Sequence, residues 1–526
     1  MRFYHTLTAF ILLLLPMPQR AVSADPTAAY IKYDFEGADA LKGWDVNQPS
    51  NVRLVTGHNG TQSLEVERPA QPILGSSGIS IGLPLKELAG CVVHFQAVAR
   101  AVDVSTPPHP WSGIKFMLHT AGPSGDAFPE YNATGSFDWK PVDFTAYIPA
   151  DSTKADLILG LEDSTGKVAF DDIRITVTQR PRPRPAHRPA GPTFTGHDGI
   201  PRLRGAMVTP EMTAEDIKVL GTEWGANHAR WQLTWGGFPH SPADDGDLVA
   251  YDTWIDGRLK HLDDMMPALK QSGIHVLIDL HTPPGGRDGQ SNCKMFQEKR
   301  FQDHFLKVWD RIAARYKGNA QIWGYDLCNE PVLGSVPDGL MNWHELATAA
   351  ARRVRKIDPR HAIIVEPDPW ADPAALLTFA PIPVSGIVYS VHMYIPHTFT
   401  HQGVFAKSPS VHYPGVIDGV TWDKERLRKT LKPEIDYARD YNIQIYIGEF
   451  SAIRWAPDHD AEHYLSDCID IFEESGWDWA YHAFREWDGW SVEHGADPED
   501  HKPVVKETDR ELLLRRWFEK NKRNAY

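Results

Sequence analysis

From residue 196 to the C-terminus, short apolar runs alternate with amphipathic stretches. The runs 203–208, 226–233, 275–280, 322–327, 362–366, 386–391, 444–447 and 479–484 read as strands. Several are near-continuous in apolar residues, as strands covered on both faces must be. Patterns of helical period fall between them at 254–271, 296–316, 341–357, 423–441 and 461–474, and a last helix is expected near 507–520. Eight strand–helix units in one continuous segment predict an α/β (β/α)8 TIM barrel over residues 196–526. In that fold chemistry sits at the C-terminal ends of the strands.

Residues 25–179 have a different rhythm. Short alternating runs at 30–35, 63–66, 92–95, 114–117, 157–160 and 168–170 are separated by turns rich in Gly, Pro and Asn. This predicts an all-β sandwich. Residues 180–192 read RPRPRPAHRPAGP, so 180–195 is expected to be an extended, solvated spacer between two domains. The first 24 residues carry Arg2, an apolar run at 7–15 and Ala-Val-Ser-Ala at 21–24. That is the three-part pattern of a secretory signal, too short to span a bilayer, and it predicts a secreted or periplasmic protein. No other stretch has the length and apolarity of a membrane span.

Composition then narrows the function. The chain has 526 residues, a net charge of −15, 11% aromatics and 18 Trp. Loss of the signal would remove two arginines and take the charge to −17. There is no Lys/Arg-rich block outside the spacer, which argues against nucleic acid. An acidic, Trp-rich chain suits a neutral ligand with flat faces, such as a sugar. The four cysteines, Cys91, Cys293, Cys328 and Cys468, form no C-x-x-C motif and are expected to be structural.

Candidate chemistry lies at the strand ends. Strand 4 runs into Cys328-Asn329-Glu330-Pro331, and strand 7 into Gly448-Glu449-Phe450. Strands 4 and 7 face each other across a barrel mouth, so the two glutamates form the carboxylate pair that glycoside hydrolysis needs. Strand 2 carries Arg230, strand 3 ends at His281, strand 6 continues through His392 and Tyr394, and strand 8 is followed by Arg485-Glu486-Trp487. Glu366 and Asp368 after strand 5 line the mouth or cap the next helix; Trp370 and Trp490 are further candidate platforms. His281 and His392 as metal ligands would require further ligands such as an H-x-H on strand 1, which reads Arg202-Leu203-Arg204-Gly205-Ala206. No catalytic metal or other cofactor is therefore expected.

Together these motifs resemble glycoside hydrolase family 5 of clan A, the cellulase-like barrels, over the whole second segment. The resemblance implies a retaining enzyme with Glu330 as general acid/base and Glu449 as nucleophile. It places Arg230 against the nucleophile, gives Tyr394 a hydrogen bond to it and has Asn329 donate to the sugar 2-hydroxyl. His281 and His392 would bind hydroxyls, and Trp487 would stack on a sugar face. The proton donor must hold its proton at working pH, which burial and a nearby carboxylate favour. The first substrate choice is β-1,4-glucan, endoglucanase-like, acted on by a monomer. β-Mannan, β-1,3-glucan and a glycolipid stay open, as does a non-catalytic sugar-binding protein on the same fold. The long mouth loops 232–250, 282–294 and 395–421 leave endo and exo action open.

The stretches DFEGADALKGWDV and VAFDDIRITV resemble the first and last strands of jelly-roll carbohydrate-binding modules. In such modules the terminal strands are neighbours. A structural calcium among Asp34, Glu36 and Asp171 is one expectation, and Trp44, Trp111 and Trp139 are candidate sugar platforms or core residues.

Overall fold

The computed structural model describes residues 30–69, 74–109, 111–123, 125–182, 184–185, 191–235, 246–404 and 410–521. The expected signal, the middle of the spacer and parts of the loops after strands 2 and 6 lie outside these residues.

The N-terminal part is two antiparallel sheets. One runs in the order Gly135–Tyr147, Val92–Val104, Gly166–Gln179, Gln62–Arg68, Val52–Thr56, with Ile31–Tyr33 added on Gly166–Gln179. The other orders Asp45–Asn47, Ser76–Gly82, Lys154–Glu162, Gly113–Gly122 and Gly125–Ala127. Strand alternation divides core from surface: Val93, Phe95, Ala97 and Ala99 are buried, and His94, Gln96 and Val98 between them are not. Phe95 and Phe144 stack in this core with centroids 4.7 Å apart. The terminal strands are neighbours, with Ile31 opposite Ile175.

Trp44 packs in the sandwich core. Trp139 stands beside His58 and under the Arg100 guanidinium. Trp111 is 46% exposed and stacks on His109. Asp171 is buried and accepts from the Ser63 and Thr61 hydroxyls, while Asp34 and Glu36 accept backbone N–H groups of Glu36 and Gln62.

The second part is a closed barrel of eight parallel strands: β1 Arg204–Val208, β2 His228–Gln232, β3 His275–Asp279, β4 Ile322–Asp326, β5 Ala362–Val365, β6 Ile387–Met393, β7 Ile445–Phe450 and β8 Asp478–Phe484. Nearly every strand residue is buried, because helices cover the outside and side chains fill the interior. Leu203, Leu277, Trp323, Ile364, Val388 and Tyr446 form that interior plug. Helix starts follow ordinary capping chemistry: Asn342 and Glu345 form a capping box at Trp343–Ile357. Two expected helices differ in detail. The stretch 423–441 divides into Lys424–Thr430 and Lys432–Tyr441, because Pro433 starts a helix well and cannot continue one. The stretch 296–316 becomes a short turn at Lys294–Phe296 and a helix at Lys299–Tyr316.

The two parts touch at the mouth end of the barrel. Gln179 donates to Asp368 at 3.5 Å, Tyr147 and Thr378 hydroxyls meet at 3.2 Å, and Gln290 reaches the Asp143 carbonyl at 3.5 Å. The spacer arginines are docked on the barrel as well as solvated. Arg184 bonds the carbonyls of Leu376 and Leu377 and the Tyr441 hydroxyl, and Arg182 pairs with Glu345.

Candidate active site

The strand ends deliver Arg230 (β2), Asp279 (β3), Asp326 (β4) and Glu449 (β7) to one layer, with Glu366 just past β5. A charge inside so apolar a barrel is tolerated only when paired. Arg230 is fully buried and answers four carboxylates: Glu449 at 2.6 Å, Glu366 at 2.8 Å, Asp326 at 3.0 Å and Asp279 at 3.3 Å. It also donates to Asn329 Oδ1 at 3.0 Å. This cage is the floor of the mouth. Asp279 holds His281 Nδ1 at 2.9 Å, and the other His281 nitrogen faces Asn329 Nδ2 at 3.3 Å.

Glu330 stands above this floor. Its φ of 44° is a left-handed conformation that a non-glycine residue adopts only when its surroundings impose it. Those surroundings are visible. Glu366 Oε2 accepts the Glu330 N–H at 2.6 Å, and Arg287 donates to the carbonyls of Asn329 and Glu330 at 3.1 and 2.8 Å. Arg287 is in turn capped by the ring of Trp370, 5.1 Å away.

His392 joins the two glutamates. Its Nδ1 lies 2.8 Å from Glu330 Oε1 and 3.7 Å from Glu449 Oε2, and its Nε2 is 3.2 Å from Glu366. A side chain at Gly448 would collide with it, since a Cβ there would lie 2.9 Å from His392 Nε2 and 2.6 Å from Ser390 Oγ. One oxygen of Glu330, one of Glu449 and one His392 nitrogen fall within 4.8 Å of one another. Among the described residues this is the one set of converging metal-type ligand atoms. In the structure these atoms are engaged with each other, an acid pair bridged by an imidazole.

The electrostatics separate the two glutamates. Burial pushes Glu449 toward its neutral form, but His392, His482 and Arg230 outweigh burial and hold its carboxyl well below the usual range. Tyr394 adds a hydroxyl donor at 2.8 Å. Glu330 lies outside the Arg230 cage, and its side chain is 22% exposed where that of Glu449 is 5% exposed. Asp326 moves the other way: burial, then the charge of Glu366, raise it well above the ordinary value. His392 is raised well above its usual value, because Glu366 and Glu449 outweigh burial.

Glu330, Glu449, Arg230, Asn329, His281, His392 and Tyr394 therefore meet in one place. Trp487 is 36% exposed and packs edge-on against Trp455 and Trp490. The strand-8 side chain that reaches Glu449 is His482, 3.1 Å from Oε2. Sequence reasoning missed Asp279, Asp326, Arg287 and His482, and left Glu366 between a cleft role and a cap. The available signal was an acid inside an otherwise apolar run, as in VLIDL and GYDL.

A barrel with paired carboxylates at its mouth defines an enzyme class, and comparison with known proteins agrees. The family described as cellulase (glycosyl hydrolase family 5) matches residues 191–488, more than half of the chain. The chain belongs to this family and is a glycoside hydrolase. Endoglucanase C of Acetivibrio thermocellus is 26% identical over 325 residues, covering 56% of this chain and 89% of that protein. Cellodextrinase A of Ruminococcus flavefaciens is 26% identical over 273 residues, covering 50% and 75%. Beta-xylosidase of Phanerodontia chrysosporium is 25% identical over 244 residues, covering 43% and 48%. A solved structure described as a glycoside hydrolase aligns at 22% identity with a TM-score of 0.48, over 60% of this chain and 99% of that one.

Proposed function

We propose that the protein hydrolyses a β-linked glucan, β-1,4-glucan first, with retention at the anomeric carbon. Glu449 is the nucleophile and Glu330 the general acid/base. The observation that carries this reading is the approach of the two carboxyls to within 4.8 Å, in different electrostatic surroundings. Retaining enzymes keep their carboxyls about 5–5.5 Å apart, and inverting ones hold them farther apart to admit a water. In the first step a Glu449 oxygen bonds to the anomeric carbon as the glycosidic C–O bond breaks, and Glu330 gives its proton to the leaving oxygen. In the second, water attacks the anomeric carbon, Glu330 takes its proton, and the Glu449–carbon bond breaks. Asn329, fixed between Arg230 and His281, offers its Nδ2 to the sugar 2-hydroxyl.

Relatives named endoglucanase and cellodextrinase support glucan as the first choice, and β-mannan, β-1,3-glucan and a glycolipid are the other arms of the test. The exposed Trp111–His109 stack is the surface through which the N-terminal sheets would hold a glycan. The export that residues 1–24 predict would place the enzyme where such polymers occur. The test is reducing-sugar release over a panel of β-glycans, with Glu449→Gln alongside. Release from at least one glycan by the wild type, lost in the variant, is expected. A variant that matched the wild type on every active glycan would end the assignment.

A further inference from the structure

Two imidazoles stand beside Glu449; His392 also touches Glu366 of the Arg230 cage, whereas His482 pairs with Glu449 and with Glu486 outside the cage. His482 Nδ1 lies 3.1 Å from Glu449 Oε2, and its Nε2 bonds Glu486 Oε2 at 2.9 Å. The Tyr394 hydroxyl touches the same Nδ1. Around the imidazole stand Glu449 of β7, Tyr394 beyond β6, His401 at the C-cap of the short helix His397–Thr400, the ring of Trp490 at 6.1 Å, and Glu486 beyond β8, itself close to His281 and Gln232. Two acids on one imidazole keep both of its N–H groups donating. Burial lowers His482, but Glu449 and Glu486 outweigh it and push it up to about 10.

A retaining enzyme asks opposite things of its nucleophile. Bond formation needs a basic carboxylate, and bond breaking needs a carboxylate that leaves easily. Arg230 spreads its charge over four acids, so it cannot favour one of these demands on its own. His482 faces one acid of the reaction and is held from behind by an acid outside it. We propose that the Glu486–His482 pair is a positioning device for the second step, which places a positive donor on Glu449 as its bond to the sugar breaks. The proposal rests on Glu449 being the nucleophile. The balance is that of simple hydrolysis: the electron pair of the breaking bond stays on Glu449, where His482 N–H receives it, and the proton from water goes to Glu330.

The two steps can be read separately with an activated aryl 2-deoxy-2-fluoro-β-cellobioside on the full-length enzyme. Loss of activity times the first step, and regain after removing excess reagent times the second. His482→Phe and His482→Asn are expected to slow regain, by roughly tenfold for Phe and less for Asn, whose amide still donates at the Nδ1 position. Loss of activity should be unchanged or faster. Glu486→Gln should keep regain near wild type at low pH and weaken it as pH rises, since the imidazolium has lost its acid partner. Thermal melting of each variant checks folding. The proposal is overturned if loss and regain slow by the same factor in the folded variants, or if neither changes. The peptide carrying the fluorosugar separates the two ideas: a label elsewhere than on Glu449 overturns the nucleophile assignment itself.

Discussion

Glu366 accepts the backbone N–H of Glu330 at 2.6 Å, and its other oxygen lies 2.8 Å from the guanidinium that holds Glu449. One fully buried side chain thus fixes the main chain of one proposed catalytic residue and shares a cation with the other. Glu366→Gln can satisfy only one of these contacts, because its amide would point N–H groups at N–H groups. A fall in kcat/KM on the order of 10²-fold is expected, with KM little changed, from steady-state kinetics on an aryl β-glycoside. Kinetics within threefold of the wild type would show that the brace is idle.

Glu330 and Glu449 should fail differently. A good leaving group needs no proton, so Glu330→Gln should still release the aryl alcohol from a dinitrophenyl glycoside. On an unactivated oligosaccharide it should lose about 10²–10⁴-fold, the usual worth of general acid–base catalysis. Glu449→Gln should be inactive on both. Equal losses on both substrates in Glu330→Gln would remove it from the acid role.

Trp370 is 40% exposed at the rim, and its ring covers Arg287, which grips the Glu330 backbone. Trp370→Ala should raise KM for long glycans by roughly five- to tenfold, the scale of one aromatic contact. Turnover of a short aryl glycoside should fall less. Arg287→Ala should instead lower kcat on both, since it frees the Glu330 main chain. Identical behaviour of the two variants would mean that the ring serves only to bury the guanidinium.

Asp368, at the junction with the N-terminal sheets, is raised by burial to about 6. An Asp in the unfolded chain titrates at about 3.9, so the folded state holds this proton more tightly. Its contribution is therefore fully present below about pH 4 and is lost as pH rises through about 6. Asp368→Asn cannot ionise and still offers Gln179 an oxygen. It should melt like the wild type at pH 4 and be more stable at pH 8, by up to about 3 kcal/mol. A stability gap independent of pH would show that Asp368 is already ionised or neutral in both states.

Much of this was legible in the sequence, for identifiable reasons. The eight strands stand out because a doubly covered strand is apolar throughout, and Glu330 and Glu449 stand out because each is an acid at the C-terminal end of such an apolar run. The pairing of Ile31–Tyr33 with Gly166–Gln179 followed from the two terminal stretches. What stayed hidden arises from convergence. Asp279, Asp326 and Glu366 acquire meaning only when closure of the barrel aims three strand ends at Arg230. Arg287 sits in a loop whose path no local pattern dictates. On strand 8 the sequence pattern points to Trp487, whereas His482 lies within the strand and there reaches across to Glu449. The break before Pro433 was legible in principle, since proline cannot continue a helix.

The Arg230 cage has a cost for the fold that carries it. Four acids and a guanidinium have been taken out of water, and such clusters are often no more stable than an apolar core of the same volume. The barrel would therefore gain heat resistance most readily at the residues it can least lose. Laboratory evolution for thermostability alone would drift toward filling the mouth with aliphatic side chains, a sturdier protein with nothing left to react. Selection for turnover has to be applied along with heat if the floor of this mouth is to survive.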